Sequence, residues 1–312
     1  MPSKPKAWID TPDQLDLLKK RGLVIDDDGR ALHYLQSLGY YRLSGYIYPF
    51  RQVQNGQKVS KLIDDTNFNT ILQLYLFDKG LRILAFDALE RIEMAIRTDI
   101  AHTLGKHHPN AHEMPEHLDK KFTTKAPNQT KSKHDIWREK YQKLLQSNAK
   151  QDFIKHHLDN YQYLPIWAAR EILDFGALSH LYGGLKYKDR QKIAQKYHTT
   201  ANMLGKWLKS LNFIRNIVAH HGRLWNLNIV ERSDFEKSFA HIGNRLENHK
   251  AFGYFYLMGY FLDIISPNST WKCRVIAHIH DNFPKVSNNA ISLADFGYRD
   301  DIGTLWQAKQ NI

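Results

Sequence analysis

The longest helical pattern in the chain runs from about Asp65 to Gly105. Ile71, Leu74, Leu81, Leu84, Leu89, Ile92, Ile96 and Ile100 mark its apolar positions. Arg82, Arg91 and Arg97 alternate there with Asp87, Glu90 and Glu93, which supplies a face of paired charges. A segment of this kind must be covered by other helices, so the architecture is helix on helix. The rest of the chain agrees. Thr11 as cap, Pro12 at the first helical position and Gln14 completing a capping box predict a helix that stops near Gly22. A second carries Leu32, Leu35 and Leu38. Further helices are expected at about 134–148, 151–160, 188–197, 203–221, 233–249 and 252–264. Another opens at Leu164-Pro165-Ile166-Trp167, passes Glu171 and reaches Asp174-Phe175-Gly176. Few segments alternate with period two, so the fold class is all-α.

Other stretches lie between these helices. Tyr40 to Arg51 is dense in aromatics and arginines and is broken by Gly45 and Pro49. Gln54-Asn55-Gly56-Gln57 reads as a turn. Residues 106–133, rich in Lys, His, Pro and Asn, read as an exposed loop or insertion. The expected division is an N-terminal helical and aromatic extension at 1–60, a helical domain at 61–265 and a C-terminal tail at 266–312 packing on the bundle.

The charge balance narrows the partners. Lys and Arg number 44 against 32 Asp and Glu, a formal charge of +12. Such an excess favours polyanions, because neutralising phosphates releases condensed counterions. The single cysteine, Cys273, excludes an intramolecular disulfide and fits a reducing cytoplasm. Met1 to Asp10 lacks the apolar stretch of a secretory signal. The longest apolar run, Ala251 to Ile265, is too short and too polar to span a bilayer and reads as a buried helix. A cytoplasmic protein without a membrane anchor is the expectation.

The candidate chemistry lies in Phe213-Ile214-Arg215-Asn216-Ile217-Val218-Ala219-His220-His221-Gly222-Arg223-Leu224. Leu204, Leu208, Leu211, Ile214 and Val218 form the dry stripe of its helix. Asn212, Asn216 and His220 are successive i, i+4 neighbours, and Arg223 continues that line if the helix persists. Arg215 reaches over the same ledge. A guanidinium beside an imidazole suits cleavage of a phosphodiester without a metal. From spacing alone, a structural network of satisfied polar groups is the stronger reading.

The stretch also carries a resemblance. Arg215-Asn216-x-x-x-His220 resembles the signature of the HEPN superfamily, and the run from Leu211 to Asn226 is similar to the Abi-like, or abortive-infection, family of bacterial defence proteins. Three further blocks agree in order: Tyr40 to Arg51; Phe77-Asp78-x-x-Leu81-Arg82 through Ile96-Arg97; and Leu164-Pro165-Ile166-Trp167 through Phe175-Gly176-x-Leu178-Ser179. The resemblance implies a HEPN-like bundle, RNA cleavage in phage defence, association with a structured non-coding RNA, and a homodimer with a composite cleft. It assigns Arg215 and His220 as the catalytic pair, with Asn216 the polar residue after the Arg. His221 is the alternative to His220, and Arg223, Arg42 and Arg51 are candidate RNA contacts. Neither cofactor nor metal is expected.

Two other patterns are weaker. Arg97-Thr98-Asp99-Ile100-Ala101-His102 repeats the Arg–His spacing and is a possible second motif, although the Glu90/Glu93 environment explains Arg97 as an ion-pair partner. His112-Glu113-Met114-Pro115-Glu116-His117 superficially resembles a zinc-protease helix, but its histidines are five apart with Pro115 between them. His107, His108 and His112 could still bind a metal, but loop histidines more often face solvent. No phosphate-binding glycine loop and no activated Ser or Cys is present.

Overall fold

The computed structural model describes residues 7–235, 239, 242 and 245–307. Its elements, in chain order, are α1 (Thr11–Lys20), α2 (Asp28–Leu38), α3 (Tyr40–Ile47), strands β1 (Arg51–Gln54) and β2 (Gln57–Leu62), and the long α4 (Phe68–Gly105). There follow α5 (Lys120–Thr123), α6 (Lys133–Asn148), α7 (Asp152–Tyr161), α8 (Ile166–Ala169), α9 (Phe175–Gly184), α10 (Tyr187–Lys196) and α11 (Ala201–Ala219). The last are α12 (Ala251–Ile265), α13 (Trp271–Asn282), α14 (Leu293–Phe296) and α15 (Asp300–Gln307). The fold is all-α, with one small hairpin. No helix among the described residues is long and apolar enough to cross a membrane.

Contacts gather the chain into two compact units. The first holds residues up to Leu84, 223–227 and those from Lys272 onward; the second holds 85–222 and 228–271. In the first, the cap of α1 is Asp10, whose carboxylate accepts the Asp13 N–H at 3.0 Å, so Thr11 is already helical. Gln14 donates instead to the Ile9 carbonyl, at 3.0 Å. The Asn55-Gly56 turn joins β1 to β2 with φ of 52° and 75°, the two left-handed residues of a type I′ turn. The centre of this unit is Asp78, fully buried on α4. It accepts the Tyr46 hydroxyl at 2.6 Å, the Leu224 and Trp225 N–H groups at 2.9 and 2.7 Å, and the Arg82 guanidinium. Four donors satisfy a carboxylate that would otherwise be very costly to bury.

In the second unit Ile92, Ile96, Ile100 and Leu104 line the buried side of α4. α12 is buried on nearly every side, as its composition predicts. α6 is pinned to α9 by Trp137, whose indole N–H donates to the Ala177 carbonyl at 2.9 Å. Three expectations change. The helix opened by Pro165 lasts one turn, because Asp174 caps a separate helix by accepting the Ala177 N–H at 2.7 Å. The stretch 106–133 contains α5 and buries Leu118 and Phe122. His112 is also fully buried there rather than solvent-facing, with its ring 5.2 Å from Tyr141 and 6.1 Å from Trp137. Of the helix expected at 233–249, residues 236–238, 240, 241, 243 and 244 lie outside the described residues.

Candidate active site

The helix bearing the Arg–His run starts at Thr200, whose hydroxyl accepts the Met203 N–H at 3.3 Å. It buries Leu204, Trp207, Leu208, Leu211, Ile214 and Val218. That anchorage turns Asn212, Arg215 and Asn216 toward a cleft of about 290 Å³, whose walls also carry Lys133, Lys140, Asp174 and His180. All these residues belong to the second unit.

Charge in the cleft is organised around two acids. Glu93, buried on α4, takes Arg97 at 2.5 Å and Arg215 at 3.9 Å. Burial raises its pKa, and the charges of Arg97 and Arg215 oppose that rise. Arg97 also donates to the Leu173 carbonyl at 2.6 Å, so this arginine braces α4 against the segment before α9. Arg215 keeps a third of its side chain exposed and its longer ion pair leaves it turned to the cleft. Asp174 binds Lys140 at 2.7 Å. Burial disfavours the Asp174 charge, but the Lys140 and Ala177 hydrogen bonds with the Lys140 and Arg215 charges outweigh it and hold its pKa low. Gly176 forms the wall beside this pair, where a Cβ would come within 3.2 Å of Asp174 Oδ1. His180 is held below its ordinary pKa, first by burial and then by Lys140 and Lys209.

The helix does not persist to Arg223. His220 is its cap, the His221 N–H donates to the Val218 carbonyl at 3.0 Å and the Gly222 N–H to the Ile217 carbonyl at 2.7 Å. This is a Schellman motif, and its left-handed position is His221, at φ 56°. Gly222 is fixed by space: a Cβ would lie 2.9 Å from Ile217 Cγ2 and 3.1 Å from the Ile217 carbonyl. His220 is exposed, one turn beyond Asn216, and lies outside the lining of the cleft. From Arg215 to His220 the helix rises about 7.5 Å.

The other candidates belong elsewhere. The Arg223 guanidinium donates to the Gly45 carbonyl within the first unit. Arg42 and Arg51 are part-buried in that unit, with Arg51 stacked over Tyr48 at 5.3 Å. His102 is exposed and lines a different groove with Trp167. Among the described residues, no three of His, Cys, Asp and Glu gather as a metal site. Nothing in the local sequence marks Lys140, Asp174 and His180 as site residues, because they reach α11 from α6 and from capped α9.

Residues 33–226 match the family model of Abi-like proteins, a span that takes in the cleft, Arg215, Asn216 and His220. No curated protein and no solved structure matches the chain.

Proposed function

The chain belongs to the Abi-like protein family, which points to abortive infection as its setting, and we propose that it acts there as a HEPN-type endoribonuclease. RNA carries its own nucleophile, the 2′-hydroxyl. His220 takes that proton as the hydroxyl attacks the adjacent phosphorus, and the 5′-oxygen leaves with a proton given by the protonated His220 of a second copy of the chain in a composite cleft. Arg215 balances the charge that develops on the phosphorane oxygens. Asn216 orients the phosphate from the neighbouring helix position. The products are a 2′,3′-cyclic phosphate and a 5′-hydroxyl, and the step calls for no metal. Lys133 and Lys140 provide further cationic wall for a polyanion.

The observation that supports this reading is the Arg215 guanidinium, held at one edge by buried Glu93 and turned into a cationic cleft below an exposed His220. A second reading, a non-catalytic RNA holder, draws on one fact: His220 does not line that cleft. The test is cleavage of co-purifying RNA by wild type, Arg215→Ala and His220→Ala. Loss of cutting with RNA affinity retained supports the nuclease. Chelator-sensitive cutting restored by magnesium, or cutting at a 2′-deoxy linkage, defeats it.

A further inference from the structure

The chain has seven tryptophans. Five are buried: Trp137, Trp207, Trp225, Trp271 and Trp306 are at most 3% exposed. Trp8 is 85% exposed near the start of the described chain, and Trp167 is 50% exposed. Trp167 is different in kind, because its backbone is part of a hydrogen-bonded helical turn. It sits on α8, whose first residue, Ile166, is fully buried and donates its N–H to the Pro109 carbonyl at 2.8 Å. The ring borders a groove of about 370 Å³ whose other walls include His102, Lys106 and Arg170. Arg170 is fixed by Thr98 Oγ1 at 2.8 Å and by Glu171 at 3.0 Å. Lys106 makes no ion pair among the described residues. Gly105 lies against the ring, where a Cβ would make ordinary van der Waals contact with Trp167 Cε3 at 3.5 Å.

We infer that this groove is a stacking subsite for one nucleotide of single-stranded RNA, with the base on Trp167 and its phosphates on Lys106 and Arg170. A half-exposed indole with cations at its rim suits a base and its backbone together, and the groove has the size of a small-ligand pocket. A preset ring loses little freedom on stacking. An apolar peptide would leave Lys106 unmatched, and the +12 charge of the chain favours a polyanion. The subsite takes its ligand class from the RNA reading above but not its chemistry. It also gives His102 a binding role in place of a second Arg–His motif.

The test uses full-length protein carrying Trp8→Phe, so that Trp167 is the exposed reporter, and Arg215→Ala, so that the probe is not cut. Titration with a dodecamer of oligoadenylate should quench the fluorescence saturably. Trp167→Ala should remove the quench and weaken binding of the labelled dodecamer about 5- to 150-fold, the range for losing one stacked base. Lys106→Ala should lower the salt slope of binding by about 0.7, one single-strand phosphate. With Arg215 and Trp8 intact, Trp167→Ala should raise KM and leave kcat. Unchanged affinity and no quench overturn the subsite, even if the protein cuts RNA. An equal quench by polyglutamate also overturns it, by reducing it to a charged patch. A quench that persists in a protein with no ribonuclease activity keeps the subsite and removes the nuclease.

Discussion

Arg215 Nε lies 3.9 Å from Glu93 Oε2, while Arg97 closes on the same carboxylate at 2.5 Å. One buried acid therefore serves two arginines unequally. The tight partner is structural, and the loose partner keeps its guanidinium available. Replacing Glu93 by Ala should cost about 3–5 kcal/mol, because it leaves Arg97 part-buried without its counter-charge. Arg215→Ala should cost no more than about 1 kcal/mol, because its pair is long and a third exposed. Denaturant unfolding of both variants checks the contrast, and equal losses would mean that Arg215 too is a brace.

The Schellman turn separates the two histidines. His221 occupies the left-handed position that favours glycine, so His221→Gly should stabilise the protein by about 0.5–1 kcal/mol and keep most cleavage. His220→Ala should abolish cleavage with little change in stability, because the side chain is exposed. If His221→Gly loses cleavage as completely as His220→Ala, the roles of the two are exchanged.

This turn also shows where the sequence was legible. The apolar stripe from Leu204 to Val218 has helical period, and it locates α11 to within two residues. The end was less visible, because Gly222 stands one position past the left-handed residue. Arg223 thus leaves the Asn212–Asn216–His220 line and donates to Gly45. The hairpin strands leave no signal in the sequence because most of β1 and β2 is exposed and has no apolar alternation. Buried His112 looked like a loop histidine because its neighbours Trp137 and Tyr141 come from α6. Non-local packing leaves no period in the local sequence.

Arg223 separates an RNA contact from a brace. Its hydrogen bond to the Gly45 carbonyl predicts that Arg223→Ala costs about 1–2 kcal/mol. If the role is structural, the salt slope of RNA binding will not change. A slope reduced without loss of stability would restore the phosphate role expected from the sequence.

His112 predicts an acid-labile fold. Burial lowers its pKa from 6.5 to about 3, and neither ring nitrogen has a partner among the described residues. The unfolded chain then binds a proton that the folded one does not. The stability is intact above pH 6.5 and drains as pH falls toward the folded pKa, by about 3 kcal/mol at pH 4 relative to pH 7. His112→Leu should flatten that part of the profile in urea titrations at stepped pH. A profile identical to wild type would place the acid sensitivity elsewhere, with buried His134 next to be tested.

The homodimer with a composite cleft that the family resemblance implies yields a quantitative test. If each composite cleft needs the Arg–His pair of both chains, activity depends on the fraction of dimers with two intact copies. Wild type mixed with Arg215→Ala/His220→Ala protein, then unfolded and refolded together, should lose activity as the square of the wild-type fraction. At equal parts a quarter of the clefts remain intact, against half for chains that act alone. A linear decline, or a monomer by light scattering that still cuts, overturns the composite cleft. It would leave each helix α11 to work with the residues of its own cleft, and His180 would become the first candidate for the second proton-transfer group, because it lines the same walls as Arg215.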